Sequence, residues 1–524
     1  MPQFISEVWR SSMLRNQYQV RFWLASYNLF DYSHQTMDTQ LFEQARQNRD
    51  PRFDGRFFIA VKTTGIYCRP ICRVRIPKAI NVQFFLTAAA AAEAGFRPCL
   101  RCRPETAPGT PAWKGTSTTV KRALSLISAG ALDEAGVESL SDRLGVTSRH
   151  LSRLFSQYLG ASPKAVGQTR RLHSAKKLLD ETSLSMVDVA MSTGYGSVRR
   201  FNDHFKQVYG RSPTQIRNMN KVAAKSQSLA LTASSFELKL TYRPPFDYQG
   251  MLNFLKVRAI PGVERVTDEK YVRTIVVGST VESRQVGRLT VTHDPEKLCL
   301  QVYIELDGAS QLMIVLEKVK RLFDLTADPI DIIQCLQADK QMVTMVAQNP
   351  GQRVPGCWEP FEIAVRAIVG QQISVKGATT LMGKIASTYG QQTELGLVFP
   401  DANALSQIDV IGLSMPVKRA QTIKDMSQAV IDGSIDFTVG GDPANLIHQL
   451  TNIKGIGPWT SHYIAMRALG DPDAFLQGDL VLLKVAEKCF GIGCGKDLIE
   501  RSKQWQPWRA YACMHLWRQA AQLK

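Results

Sequence analysis

Cys68 and Cys72 lie in the stretch TTGIYCRPICRVR (residues 63–75), and Cys99 and Cys102 lie in RPCLRC (residues 97–102), with 26 residues between the pairs. Two short-spaced cysteine pairs can wrap one tetrahedral zinc ion with four thiolates. Turn formers stand beside both pairs, in CRPIC and in RPCLRC. Arg69, Arg73, Arg75, Arg97, Arg101 and Arg103 crowd them, which argues against four free core thiols. Two readings of the metal stay open. It is purely structural, or it serves a reactive thiolate, since zinc holds cysteine deprotonated and nucleophilic. In the second reading the arginines bring DNA phosphates to the metal site.

The run AVKTTGIYCRPICRVR…NVQFF…AGFRPCLRCRPE closely resembles the zinc domain of the Ada methylation-response family, over roughly residues 46–106. The resemblance implies that Cys68 accepts a methyl group from a methyl phosphotriester in DNA. It further implies that Cys72, Cys99 and Cys102 complete the zinc site, and that Thr64, Arg73 and Arg75 contact the DNA backbone. Methylation removes negative charge from the centre, so DNA is then bound better. The cysteine is consumed, not regenerated. Complete Ada proteins carry a second acceptor in a Pro-Cys-His-Arg motif. That tetrapeptide does not occur in this chain, so no O6-methylguanine repair is expected.

A second chemical cluster lies far downstream. LTNIKGIGPWTSHYIAM (residues 450–466) sets Gly455 and Gly457 in a hairpin between helical segments. Backbone amides of such a hairpin accept a phosphate without reading sequence. FLQGDLVLLK (residues 475–484) then places Asp479 twenty residues after Trp459. Hairpin and aspartate at this distance resemble the helix-hairpin-helix base-excision glycosylases. The segments LTYRPPFDYQGMLNFLKVRAIPGVE, RLFDLTADP, FEIAVRAIVGQQIS, PVKRAQTI and WQPWRAYACMHLW extend the likeness to AlkA, the DNA-3-methyladenine glycosylase II family, over about residues 236–524.

The resemblance implies that Trp459, Tyr463 and Trp517 line a base pocket. Asp479 would stabilise positive charge developing on the sugar, or orient water. The chemistry is coherent in itself. A base inside a duplex must be flipped out to be cut, and a purine methylated at N3 or N7 is cationic, a good leaving group attracted to aromatic faces. Relatives that also nick the backbone carry a lysine just after the hairpin. Trp459 stands there, so a monofunctional glycosylase leaving an abasic site is expected. Gln372, in GQQIS, stands where AlkA inserts an apolar wedge into the vacated stack. Asp479 also suits a helix N-cap, and each aromatic also suits a core. Cys489, Cys494 and Cys513 lack iron–sulfur spacing and are expected to be core thiols.

These sites need elements to carry them. SLSDRLGVTSRHLSRLFSQYLG (residues 139–160) reads as a helix-turn-helix, with Gly145 at the turn and Thr147 as cap. SMVDVAMSTGYGSVRRFNDHFKQVYGRSP (residues 185–213) repeats the plan, with Val198, Phe201, Phe205 and Val208 inward. The pair resembles the AraC-type DNA-binding domain. Arg149, His150, Arg153, Ser197, Arg199, Arg200 and Asn202 are then candidate DNA contacts. Pro-, Gly- and Thr-rich residues 105–119 and small polar residues 220–235 read as linkers. PGQRVPG (residues 350–356) reads as a softer break.

The 524 residues, 44% hydrophobic and 21% charged, suit three or four globular domains. A formal charge of +18 calls for an anionic partner, nucleic acid first. No run of about 18 apolar residues marks a membrane span, and FWLASYNLF (residues 22–30) is too short. The expected architecture is multidomain and mainly α with α+β parts. It comprises an extension (1–45, starting at Met1 or Met37), a small four-cysteine zinc domain (46–108), an all-α double helix-turn-helix (115–220) and a linker (221–235). An α+β AlkA-type N-terminal subdomain (236–330) and an all-α helix-hairpin-helix glycosylase domain (331–524) follow. One zinc ion, no iron–sulfur cluster, double-stranded alkylated and promoter DNA, and a cytoplasmic, nucleoid-associated location are expected, with RNA polymerase as a candidate partner and no membrane. Two flexible linkers make tethering near DNA, with weak coupling between halves, the default. The rival reading is a methylation-responsive transcription factor whose glycosylase half only recognises lesions.

Overall fold

The computed structural model describes residues 38–108, 118–133, 135–223, 235–278, 283–412, 415–438 and 440–523. The stretch at 22–30, both alternative starts, and the linker centres at 109–117 and 224–234 lie outside the described residues. Among the described residues, no helix is long and apolar enough to cross a membrane.

The N-terminal unit is a four-stranded sheet in the order Val82–Phe85, Phe58–Val61, Ile66–Cys68, Arg97–Pro98. Its first three strands are antiparallel, and the last pairs parallel. The helix Thr39–Asn48 packs on it through Phe42, whose ring stacks on Phe57 at 4.2 Å, so the unit's packing begins upstream of the cysteine motif. Thr87 caps the short helix Ala88–Glu93, accepting from the Ala90 N–H at 3.0 Å.

The two helix-turn-helix pairs follow their sequence signals closely. Gly145 takes φ +69° between Val137–Leu144 and Ser148–Leu159, where a Cβ would be strained. Thr147 and Ser197 cap the two recognition helices, each accepting from the backbone N–H three residues on at 3.2 Å. Phe201, Phe205 and also Tyr209 are buried, while Val198 and Val208 pack only at the margin. The nineteen-residue helix Pro163–Glu181 joins the two pairs.

Downstream, a five-stranded antiparallel sheet runs Ser235–Thr241, Cys299–Glu305, Gln285–Asp294, Lys270–Val277, Glu264–Val266. The helix Leu312–Leu322 packs on this sheet, and helices from Pro329 onward build the final domain around a core that includes Ile363, Ile385, Leu450, Leu482 and Leu516. PGQRVPG is irregular backbone but not an open linker. Residues 351–356 are buried beneath both parts, because Arg353 donates to the carbonyls of Arg243 at 2.9 Å and Pro245 at 3.0 Å.

Nor are the halves merely tethered. Ile330 of the glycosylase half completes an apolar cluster with Phe42, Phe53, Phe57 and Ile59 of the zinc unit. Arg243, fully buried, donates to the carbonyls of Asp54 (2.9 Å) and Pro108 (3.1 Å) on one side and of Thr326 (3.1 Å) on the other. Arg56 pairs with Asp328 and Asp331 at 3.1 and 2.8 Å. The first linker therefore begins later than its composition suggests. Glu105 is buried, and Pro108 sits close enough to Gly55 (φ +74°) that a Cβ there would lie 2.0 Å from its carbonyl oxygen.

Candidate active site and metal centre

Asp479 opens the helix Leu480–Phe490. Its Oδ1 accepts from the backbone N–H groups of Val481 and Leu482, both at 2.9 Å. The cap engages only one oxygen of the carboxylate and leaves the other for a second contact. On the other oxygen, Oδ2 accepts from the Trp459 indole Nε1–H at 2.9 Å. The Trp517 Nε1–H reaches Oδ1 at 3.4 Å. Such a carboxylate, saturated on one oxygen and oriented by an indole on the other, is a fixed negative charge.

The hairpin helix Pro458–Ile464 carries Trp459 and Tyr463 one turn apart, so their rings stack at 5.2 Å and 8°. Trp517, on the last helix Arg509–Gln522, meets Tyr463 at 6.5 Å. All four sequence-predicted pocket groups are therefore gathered in one place. Tyr463 is buried, whereas Trp459 and Trp517 are half-buried. Among the described residues no lysine contacts Asp479.

The sequence reading missed what lies behind Tyr463. Arg467 is buried on the next turn, within a π-helical segment Ala465–Leu469. It donates to the Tyr463 hydroxyl at 2.8 Å, to the Gly356 carbonyl at 2.8 Å, and to the Pro355 carbonyl. Arg258 and Arg467 flank the Phe254 ring at 3.7 and 5.0 Å. Burial would raise the Tyr463 phenol, but the guanidinium groups of Arg467, Arg258 and Arg366 outweigh it and hold it below its ordinary value. Burial pushes Arg258 down to about 10. The one available signal was the i,i+4 spacing of Tyr463 and Arg467.

The edge that carries the hairpin is built from loops. Gly455 takes φ +97°, and a Cβ there would fall 2.3 Å from Thr422 Oγ1. Gly457 faces open space at the start of Pro458–Ile464. Gln372 is exposed with φ +56°, left-handed backbone that a non-glycine residue adopts at a cost of about 1–2 kcal/mol. Its neighbour Gln371 ties the loop to the hairpin, donating to the Gly455 carbonyl at 2.9 Å and to Thr460 Oγ1 at 3.1 Å.

At the other end of the chain, the sulfurs of Cys68, Cys72, Cys99 and Cys102 all lie within 4.8 Å of one another. Four thiolates at about 2.3 Å from zinc stand about 3.8 Å apart, so this donor set fits one zinc ion. Sheet pairing delivers Cys68 opposite Ile59, and the Cys99 N–H bonds the Tyr67 carbonyl at 3.0 Å. Cys68, Cys72 and Cys99 are buried, and Cys102 is half-buried.

The six arginines divide. Arg69 is buried against the Asp54 carboxylate and donates to the Cys102 carbonyl at 3.2 Å. Arg103 pairs with Glu105, Asp180 and Glu181 at 3.2, 2.8 and 3.3 Å. These two hold the fold together and are not available for phosphate. Arg73, Arg75, Arg97 and Arg101 are exposed, as is Thr64, and none of these four arginines has a carboxylate within 4.0 Å among the described residues. On the recognition helices Arg149, Arg153, Arg199 and Arg200 are exposed; Arg199 lies 3.9 Å from Asp203 and Arg153 bonds His150 at 3.1 Å. Cys513 is buried and Cys489 half-buried, but Cys494 is exposed rather than core, since it caps a surface helix.

Sequence profiles match three parts of the chain: the metal binding domain of Ada at residues 42–105, a helix-turn-helix domain at 140–219, and the AlkA N-terminal domain at 237–359. A probable bifunctional transcriptional activator/DNA repair enzyme AlkA of Mycobacterium tuberculosis is 40% identical over 90% of this chain and 95% of its own length. The DNA-3-methyladenine glycosylase 2 of Escherichia coli is 33% identical over 53% of this chain and 95% of its own. The bifunctional transcriptional activator/DNA repair enzyme AdaA of Bacillus subtilis is 34% identical over 34% of this chain and 82% of its own. Fold and sites together define a DNA repair glycosylase fused to a zinc-bearing, DNA-binding regulator. The chain belongs to the family of bifunctional transcriptional activator/DNA repair enzymes of the AlkA type.

Proposed function

We propose that the glycosylase half releases 3-methyladenine and related alkylated bases by hydrolysing the N-glycosidic bond, with Asp479 as the catalytic carboxylate. The observation that carries this is the Asp479–Trp459–Tyr463–Trp517 constellation, in which a fixed negative charge adjoins stacked aromatic faces. The flipped base sits against the rings. As the bond from C1′ to nitrogen breaks, its electron pair goes to the base, and positive charge develops on the sugar beside Asp479. Water then adds at C1′ and loses a proton. Gln372 fills the vacated stack, and the hairpin at Gly455 and Gly457 holds a phosphate. Trp459 in place of a lysine leaves no amine for a Schiff base, so the product is an abasic site in an uncut strand. Base release from methylated duplex DNA by wild type and Asp479→Asn tests the assignment. Loss of about 100-fold or more is expected, and equal release from both refutes it in favour of a lesion-recognising regulator.

The zinc unit reads as the methylation sensor. Cys68, Cys72, Cys99 and Cys102 would hold one zinc ion, which would keep them as thiolates. The Cys68 sulfur attacks the methyl carbon of a methyl phosphotriester, forming S–C while C–O breaks, and a phosphodiester leaves. Arg73, Arg75 and Thr64 hold the backbone, and the centre loses one negative charge. The helix-turn-helix pairs then hold promoter DNA, with RNA polymerase as the partner of activation. All four sulfurs lie in one cluster, so peptide mass spectrometry after exposure to methylated DNA is the deciding test. A methyl on Cys68 supports the reading, whereas a methyl on Cys102, or on none of the four, overturns it.

A further inference from the structure

Arg467 is a guanidinium buried against the pocket, with no carboxylate within 4.0 Å among the described residues. Its donors go to two backbone carbonyls and to the Tyr463 hydroxyl, and its guanidinium carbon lies 5.6 Å from the Tyr463 ring centre. Arg258, also without a carboxylate within 4.0 Å among the described residues, stands 3.7 Å from the centre of the Phe254 ring and likewise engages Tyr463. Arg366 is the third cation, with Glu362 and Glu264 close by in the Arg273 ion-pair cluster. A pocket for a cationic base thus has cations behind it. A pocket built only to bind that base would place carboxylates there.

The arrangement makes sense for the transition state. The carboxylate is attached to one ring of the stack, through Trp459 Nε1, and the guanidinium to the other, through the Tyr463 hydroxyl. When the glycosidic bond of a methylated purine breaks, the electron pair moves to the base. Positive charge leaves the base, which departs neutral, and appears on the sugar. A cation behind the base opposes the charge distribution of the ground state and ceases to oppose that of the transition state. Only such differential interaction raises the rate of the chemical step.

We infer that Arg467 is a positioning residue for catalysis, which fixes Tyr463 and, together with Arg258, sets a positive field behind the base that opposes Asp479 and drives charge from base to sugar. The inference rests on the pocket assignment above. Its mark is a split between the kinetic constants: weaker chemistry without weaker binding.

Single-turnover and steady-state kinetics of the full-length chain on a duplex bearing 7-methylguanine test this. Arg467→Met is expected to lower kcat about tenfold or more, with KM unchanged or lower. Arg467→Lys, which keeps the charge, recovers a substantial part. Tyr463→Phe keeps the ring and removes the acceptor, and in that background Arg467→Met has a smaller further effect. Thermal unfolding identifies any variant that fails to fold, in which case the Lys and Phe variants carry the test. If Arg467→Met raises KM and leaves kcat alone, or if a folded Arg467→Lys is no better than Arg467→Met, the inference falls. If wild type and Asp479→Asn behave alike, the pocket assignment falls first and takes the inference with it.

Discussion

Asp479 shows how one side chain serves two purposes at once. Its Oδ1 closes a helix and its Oδ2 takes an indole N–H, so the capping geometry is what aims the charge. Trp459→Phe keeps the stack and deletes that donor. The expected result is a loss of about three- to tenfold in kcat, smaller than for Asp479→Asn, with KM little changed, read by the same base-release assay. A second carboxylate makes a contrasting case. Asp324 is half-buried at φ +51°, accepts from the Tyr511 hydroxyl at 2.7 Å, and desolvation of its carboxyl raises it from 3.8 to about 6. Its folded value lies above its unfolded one, so its contribution to stability is fully present below about pH 4 and lost as pH rises through about 6. Asp324→Asn keeps an oxygen acceptor and should raise Tm by a few degrees at about pH 7.5, with the gain gone at about pH 4. A gain that persists unchanged in acid would contradict this account.

Elements set which of these residues could be foreseen. The cysteine pairs, the capping threonine at 147, the hairpin glycines and the Trp459–Asp479 interval are all local patterns, and each lands where its pattern points. Arg69 and Arg103 were not legible in the same way. Their partners Asp54 and Asp180 are supplied by tertiary packing, and an arginine's sequence neighbours do not say whether a carboxylate will reach it. The burial of PGQRVPG was hidden for a related reason. Proline and glycine mark irregular backbone, but here that backbone is buried because Arg353 and Arg467 satisfy its carbonyls and its neighbours'. The loop at Gln372 offers an element-scale test. Gln372→Gly relieves left-handed backbone and should leave Tm equal or up to a few degrees higher, while lowering excision from duplex DNA severalfold. A marked fall in Tm would mean that the side chain holds the fold, not the DNA.

For the whole molecule, three joints matter: Arg243 to the zinc unit, Arg122 of the regulator to the Gly440 carbonyl of the glycosylase at 2.7 Å, and Thr87 to the Leu159 carbonyl at 2.9 Å. Arg243→Met leaves four backbone carbonyls, those of Asp54, Pro108, Thr326 and Ala327, without this donor, so limited proteolysis should cleave between the zinc unit and the glycosylase half sooner than in wild type. An unchanged digest would mean that Ile330 and the Arg56 ion pairs suffice. With a net charge of +18, DNA affinity should fall steeply as salt rises, the slope counting the phosphates engaged. The cluster completed by Ile330 also has a bearing on synthesis. The ribosome makes Phe42, Phe57 and Ile59 first, and Ile330 emerges later by roughly 15–55 s at about 5–20 residues per second. Throughout that interval the zinc unit's cluster lacks the side chain that completes it, so its final packing waits on the glycosylase half.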